Sequence, residues 1–262
     1  KVETFNLLAR IDTPKGELLF VSNETSEMKY ALKVFPQQDV QSPSKHYLNE
    51  ARFKFLDHPN IIKQIGSPVN DIHVNDRVVG GSFSSYIMME YAPNGDFVHF
   101  MKAHKVKFQD EKLVRSYFHQ LIEGISYLHS HGVHHLDIKL GNLLVSDNFQ
   151  LKIADFDGSH MDQDGNDIKC RGTKCFRAPE LIKGEVIYPK AADIFSAGIV
   201  LFVLKTVGYT PYKEDSHSYH KNYLDLLYDD PDAFWRGHIK MQKRSPDFFS
   251  DDFKELFMAM TR

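Results

Sequence analysis

The chain has almost no cysteine. Two in 262 residues, Cys170 and Cys175, make no disulfide framework, and their spacing lacks the further ligands of a zinc site. An intracellular, cytoplasmic setting is the expectation. Long apolar runs are also missing: none approaches the roughly 18 residues a membrane helix needs, and no signal peptide opens the chain. Basic excess is absent too. Lys and Arg number 32 against 35 Asp and Glu, a net charge of −3, so there is no field for nucleic acid and no polybasic patch for a membrane. Repeats and low-complexity stretches are lacking, and the chain opens at Lys1 without a methionine, which reads as a piece of something longer. What is present is ordinary in bulk. At 42% hydrophobic, the chain buries a substantial core as one large domain or two lobes.

In the N-terminal third, Leu18–Val21 and Tyr30–Phe35 read as strands around a polar turn at 23–29. Lys33 stands inside the second strand, on the face of Ala31 and Phe35. An ammonium among apolar neighbours needs an acid or an anionic ligand; a snorkelling lysine on an edge strand is the plainer alternative. Ser42-Pro43 is a good helix start, with Leu48, Ala51 and Phe55 as its apolar face and His58-Pro59 as its end. Glu50 lies beside that face and is the candidate partner of Lys33. An exposed Glu50–Lys54 pair, worth only tenths of a kcal/mol, is the alternative. His58–Ile62 and Tyr86–Tyr91 read as further strands, and 67–85, with Gly80-Gly81, as an enlarged hairpin. Ala92-Pro93-Asn94-Gly95 reads as a lobe boundary.

The second half centres on Val133–Val145. Asp110–His131 has Leu113, Tyr117, Leu121, Ile125 and Leu128 at helical spacing, and it feeds a loop carrying Asp137, Lys139 and Asn142. A hairpin, Leu143–Val145 and Leu151–Ile153, then returns a second carboxylate, Asp155. Acid, lysine, amide and acid are what phosphoryl transfer demands: a carboxylate to orient a hydroxyl, a cation for the transferred charge, and oxygen donors for Mg²⁺. Singly, each aspartate could be a turn residue. Residues 157–169 read as a solvated loop whose Asp162, Asp164 and Asp167 lack the spacing of a calcium loop. Ala191–Leu204, apolar nearly all round, reads as a buried helix whose Asp193 needs backbone donors. Asp232–Trp235 and Ser250–Met260 read as two more helices.

V-H-H-L-D-I-K-L-G-N-L-L-V, followed by Asp155-Phe156-Asp157, resembles the H-R-D-L-x-x-x-N and D-F-G loops of eukaryotic protein kinases. Tyr30–Phe35 resembles their V-A-I-K strand, and Gly172–Glu180 the end of their activation segment. Lys139 with Thr173 is similar to the serine/threonine type, and Ile194–Phe202 to the calcium/calmodulin-dependent and AMP-activated group. The resemblance implies an α+β, bilobal fold: a small antiparallel sheet lobe of five strands with one helix (1–91), a hinge (92–95) and a mainly helical lobe (96–262), with ATP between the lobes. It implies that Lys33, held by Glu50, grips the α- and β-phosphates. Gly16, Ala31, Met89, Glu90, Ala92 and Asp96 line the nucleotide, and Asn142 and Asp155 hold Mg²⁺. Asp137 orients the hydroxyl of a protein serine or threonine, and Lys139 meets the γ-phosphate. A regulatory segment or partner outside this stretch is expected.

Four positions depart from the pattern. Ile11 and Thr13 stand where the phosphate loop has glycines, Leu136 replaces an arginine, and Asp157 replaces the glycine of D-F-G. Leu136 cannot pair with a phosphate and Lys169 stands at the usual acceptor position, so no such switch is expected. The other reading is a pseudokinase, a binding or scaffolding module; a small-molecule kinase fits poorly with the Thr173–Glu180 segment.

Overall fold

The computed structural model describes residues 3–36, 43–66, 72–75, 77–79, 84–165, 168, 173–183, 188–212 and 225–262. Ser42, Gly80-Gly81, Asp167, Lys169, Cys170 and Gly172 lie outside them. The chain forms two compact units, Lys1–Asp96 with Leu143–Ser159, and Phe97–Asn142 with His160–Arg262.

The first unit is built on one sheet. Its strands are β1 (Glu3–Thr13), β2 (Gly16–Asn23), β3 (Lys29–Pro36), β4 (Gln64–Gly66), β5 (Ile72–Val74), β6 (Arg77–Val79) and β7 (Ser84–Glu90). Their spatial order is β4-β7-β3-β2-β1-β5-β6. Seven strands replace the five expected, and the β1–β5 pair is parallel. The added strands come from the 67–85 stretch, and they cover the start of the long β1, whose edge would otherwise stand unpaired. Side chains alternate across β3. Leu32 and Val34 join Phe5, Leu19, Val21 and Met88 in the buried cluster of the sheet, and Lys33 therefore projects from the other face.

His58–Ile62 is not a strand. Ile61 makes only an isolated bridge to Ile153, because Pro59 has no N–H to give a ladder. This segment instead anchors the returning hairpin, β9 (Leu143–Val145) and β10 (Leu151–Ile153). The Ile62 N–H donates to Ile153 at 2.9 Å, and the Asn60 amide donates to the Leu151 carbonyl at 2.9 Å. That anchorage groups 143–159 with the first unit, away from its neighbours in sequence.

Helix α1 (Lys45–Ala51) differs from expectation in the face it hides. Leu48 is 55% exposed and Phe55, beyond the helix, 47%, whereas Glu50 is 1% exposed. The helix is held through polar groups, so an apolar pattern misreads it.

In the second unit, α2 (Phe97–Ala103) precedes α3 (Glu111–Ser130). Asp110 caps α3 by accepting from the Lys112 N–H. The helix leads into β8 (Val133–His134), which pairs with β11 (His160–Met161). Then come α4 (Pro179–Lys183), α5 (Pro189–Thr206), α6 (Pro231–Met241) and α7 (Asp251–Met260). Helix α5 is buried nearly all round, and its Phe202 is packed among Trp235, His238, Phe249 and Phe257.

His238 is the titratable member of that core. Its Nε2 bonds the Pro211 carbonyl at 3.1 Å, and its Nδ1 is buried with no hydrogen-bond partner among the described residues. Burial pushes its pKa down from 6.5 to about 4, the Pro211 bond opposing. As pH falls from 6.5 toward 4, the unfolded chain takes a proton that the fold refuses, so stability is lost. Urea titration at pH 7.5 and 4.5 should show the parent losing about 2 kcal/mol more than His238→Gln; equal losses contradict the assignment.

Candidate active site

The first unit gathers Lys33, Glu50 and Asp155. Lys33 stands on β3 opposite Leu18 and Ile87. Its Nζ donates to Glu50 Oε2 and to Asp155 Oδ1, each at 2.6 Å. Burial alone would depress the ammonium, but the charges of Glu50 and Asp155 outweigh it and hold the lysine above its usual range. Burial pushes Glu50 up to about 7 against the pull of Lys33. Asp155 follows β10 with φ 65 and ψ 74. This left-handed conformation costs a side-chain-bearing residue of order 1 kcal/mol, least for Asn and Asp.

The remaining nucleotide candidates of this unit serve its frame. Ala31 and Met89 face each other across β3 and β7, both buried. The Glu90 carboxylate accepts from Lys152 Nζ at 2.9 Å and from the Lys63 N–H at 2.8 Å. The Ala92 carbonyl closes a turn onto Gly95, and Asp96 bridges to Leu144. Gly16, at φ 145, lies where a Cβ would run into the Val34 carbonyl. Strand geometry is reason enough for that glycine.

The second unit gathers Asp137, Lys139 and Asn142. Lys139 Nζ donates to Asp137 Oδ2 at 2.7 Å, and the Asn142 amide donates to the same oxygen at 3.0 Å. The Thr173 N–H donates to Asp137 Oδ1 at 3.0 Å. The loop itself hangs from Asp193, fully buried on α5. Asp193 accepts from the N–H of His135 at 2.9 Å, from that of Leu136 at 2.7 Å, and pairs with His129 Nε2 at 2.9 Å. The backbone donors expected for Asp193 are thus two successive residues of the catalytic loop. Leu136 is held there at φ 60 with its side chain buried.

The 157–169 stretch is not simply a solvated loop. Ser159 is buried, β11 pairs with β8, and Asp162 meets the buried His134 at 2.6 Å. Asp157 is the residue that sequence reasoning misjudged. Its backbone is not left-handed, so it carries no strain for replacing glycine. Its carboxylate, placed by the sequence two residues from Asp155 where it could recruit a second Mg²⁺ or repel phosphate, is buried against Lys15 at 2.5 Å and His46 at 2.9 Å. Nothing in the sequence flagged Lys15 or His46; the only signal was an acid where the pattern has glycine.

The protein kinase domain model matches residues 15–262, and the chain belongs to that family. CBL-interacting protein kinase 26 of Oryza sativa subsp. japonica is 32% identical over 257 residues, 88% of this chain and 49% of that protein. The probable serine/threonine-protein kinase MARK-A of Dictyostelium discoideum is 37% identical over 203 residues, 76% of this chain and 17% of its own. The SNF1-like protein kinase ssp2 of Schizosaccharomyces pombe is 32% identical over 206 residues, 76% of this chain and 33% of its own. The chain therefore spans about half or less of these relatives. The α+β kinase fold and the serine/threonine resemblance, on the side of the calcium/calmodulin-dependent and AMP-activated group, both hold.

Asp193→Ala should strand two buried backbone donors and the half-buried His129 at once. We expect a loss of about 3 kcal/mol, read as a lower urea midpoint at unchanged slope. A loss below about 1 kcal/mol, within the range of an ordinary substitution, would show that Asp193 does not brace the loop.

Proposed function

We propose that the chain transfers the γ-phosphoryl group of ATP to a serine or threonine hydroxyl of a protein. The observation that carries this reading is the Asp137 carboxylate, held at once by Lys139, Asn142 and the Thr173 N–H. A carboxylate so fixed can receive a hydroxyl proton without turning to find it. The acceptor oxygen bonds to the γ-phosphorus and the bond from that phosphorus to the β–γ bridging oxygen breaks. The hydroxyl proton passes to Asp137, and ADP leaves with the electron pair.

Lys33 meets the α- and β-phosphates, with Glu50 fixing its direction, and Lys139 faces the charge that spreads over the γ-phosphate. The Asp155 carboxylate and the Asn142 amide oxygen are hard donors of the kind Mg²⁺ takes. When bound, Mg²⁺ neutralises phosphate charge. Ala31, Met89, Glu90, Ala92 and Asp96 would contact the base and ribose. Gly16 would be the single glycine left in a phosphate loop that covers the nucleotide poorly, since Ile11 and Thr13 carry side chains where backbone would otherwise approach.

Protein substrates follow from the same reading, and relatives named CBL-interacting kinases support proposing a regulatory protein partner. No helix among the described residues is long and apolar enough to cross a membrane. Together with the two cysteines this supports an intracellular, cytoplasmic site of action.

Lys33→Met and Asp155→Asn should each lower turnover at least about a thousandfold, about 4 kcal/mol of transition-state stabilisation, with circular dichroism unchanged. Radiolabelled phosphate transfer to a serine/threonine peptide library reads this. A folded Asp155→Asn protein with parental turnover contradicts the metal role. A parent without transfer supports the scaffolding reading.

A further inference from the structure

Helix α1 is seven residues long, with no side-chain bond at its N-cap and no charge matched to its dipole. Such a helix does not stand alone in water; its Leu48 is exposed, and its Tyr47 meets Phe35 edge-on at 5.9 Å. Several side-chain bonds add to its hold. Glu50 holds Lys33. His46 Nδ1 reaches both Asp157 oxygens at 2.9 Å, the Asn49 amide donates to the Asp157 carbonyl, and Arg52 donates to the Ser159 carbonyl at 3.1 Å. Those of His46, Asn49 and Arg52 go to residues 157–159, just after Asp155. Phe156 adds an apolar contact, its ring 5.5 Å from that of Phe53 just past the helix.

Asp157 is the hub of this set. Its side chain is 4% exposed, and a carboxylate there without cations would be costly. One partner comes from helix α1: His46, whose Nδ1 meets the carboxylate. A cation comes from Lys15, in the two-residue turn where Thr13 pairs with Gly16 between β1 and β2. One carboxylate thus ties three separate segments: the β1–β2 turn, helix α1 and the loop of Asp155. A glycine at this position could tie none of them by side chain, and the backbone here needs no glycine.

We propose that Asp157 is a positioning residue that, through Lys15 and His46, clamps helix α1 and the β1–β2 turn to the Asp155 loop. The clamp keeps Glu50 on Lys33 and Lys33 on Asp155 without a phosphate on the chain. Leu136, buried and apolar beside Asp137, brings no cation by which a phosphorylated segment could be held from there. The inference rests on the kinase reading for its effect on turnover, but not for its effect on the helix.

The test compares the whole chain with Asp157→Gly, Asp157→Glu, His46→Ala and Lys15→Ala, by amide hydrogen exchange and by steady-state kinetics in ATP. Asp157→Gly and His46→Ala should speed exchange over residues 45–52 about tenfold and lower kcat about tenfold or more, with KM for ATP within about threefold. Lys15→Ala should speed exchange over residues 13–17 and lower kcat less. Asp157→Glu should recover most of both. His46→Ala and Lys15→Ala matching the parent while Asp157→Gly alone fails would mean that Asp157 acts directly on metal or phosphate, and would overturn the clamp. So would an Asp157→Gly protein that is faster than the parent, since the contact would then restrain the site. If Asp157→Gly does not fold, the His46 and Lys15 variants decide alone. If the parent shows no transfer, the kinase reading fails while exchange over 45–52 still judges the clamp.

Discussion

The first unit depends on one buried ammonium. Lys33 projects from the middle of a sheet, where a charge can exist only against other charges, and Glu50 and Asp155 meet it at 2.6 Å each. The arrangement is not chosen for stability. An ion pair of this burial roughly balances its desolvation cost, and apolar residues of the same size would hold the fold as well. What the charges provide is direction: Lys33 is fixed on one line, and a strand, a helix and the Asp155 loop must converge for it to be satisfied. The short α1, without a side-chain bond at its N-cap and with Glu50 as its one fully enclosed side chain among the described residues, is explained by this requirement.

The second unit answers a different constraint with the same means. The catalytic loop cannot satisfy its own backbone, since Leu136 is held in a left-handed conformation. A single aspartate from the buried helix α5 takes the N–H groups of His135 and Leu136 together. The strain at Leu136, of order 1 kcal/mol, is thereby over-determined by buried hydrogen bonds, as a strained position beside chemistry needs to be. Asp137 inherits its fixed place from that brace, and Lys139, Asn142 and the Thr173 N–H complete its hydrogen bonding.

How far the sequence was legible follows from these constraints. Short apolar runs marked β2, β3 and β7, helical periodicity marked α3, and an all-round apolar run too long for a strand marked α5, because those elements bury apolar surface. Lys33 and Asp193 stood out as charges inside apolar runs, and both found the kind of partner their burial requires. Helix α1 was misread because its contacts are polar: Leu48 and Phe55 look like a core face and are exposed. The strands β5 and β6 were read only as an enlarged hairpin over 67–85, since three-residue strands carry too little periodicity to register. The Asp157 network was invisible for another reason. Lys15, His46 and Asp157 are joined only by the tertiary fold, and no local pattern links a turn lysine to an acid 142 positions away.

The central claim is that Lys33 and Asp155 form a site for nucleotide with metal. Isothermal calorimetry of the unmodified chain with ATP, in the presence and absence of Mg²⁺, tests it most directly. The account predicts Mg²⁺-dependent binding with Kd in the high micromolar range, about 5 to 6 kcal/mol, weakened by the missing glycines at Ile11 and Thr13. No heat of binding under either condition, from protein shown to be folded, would contradict it.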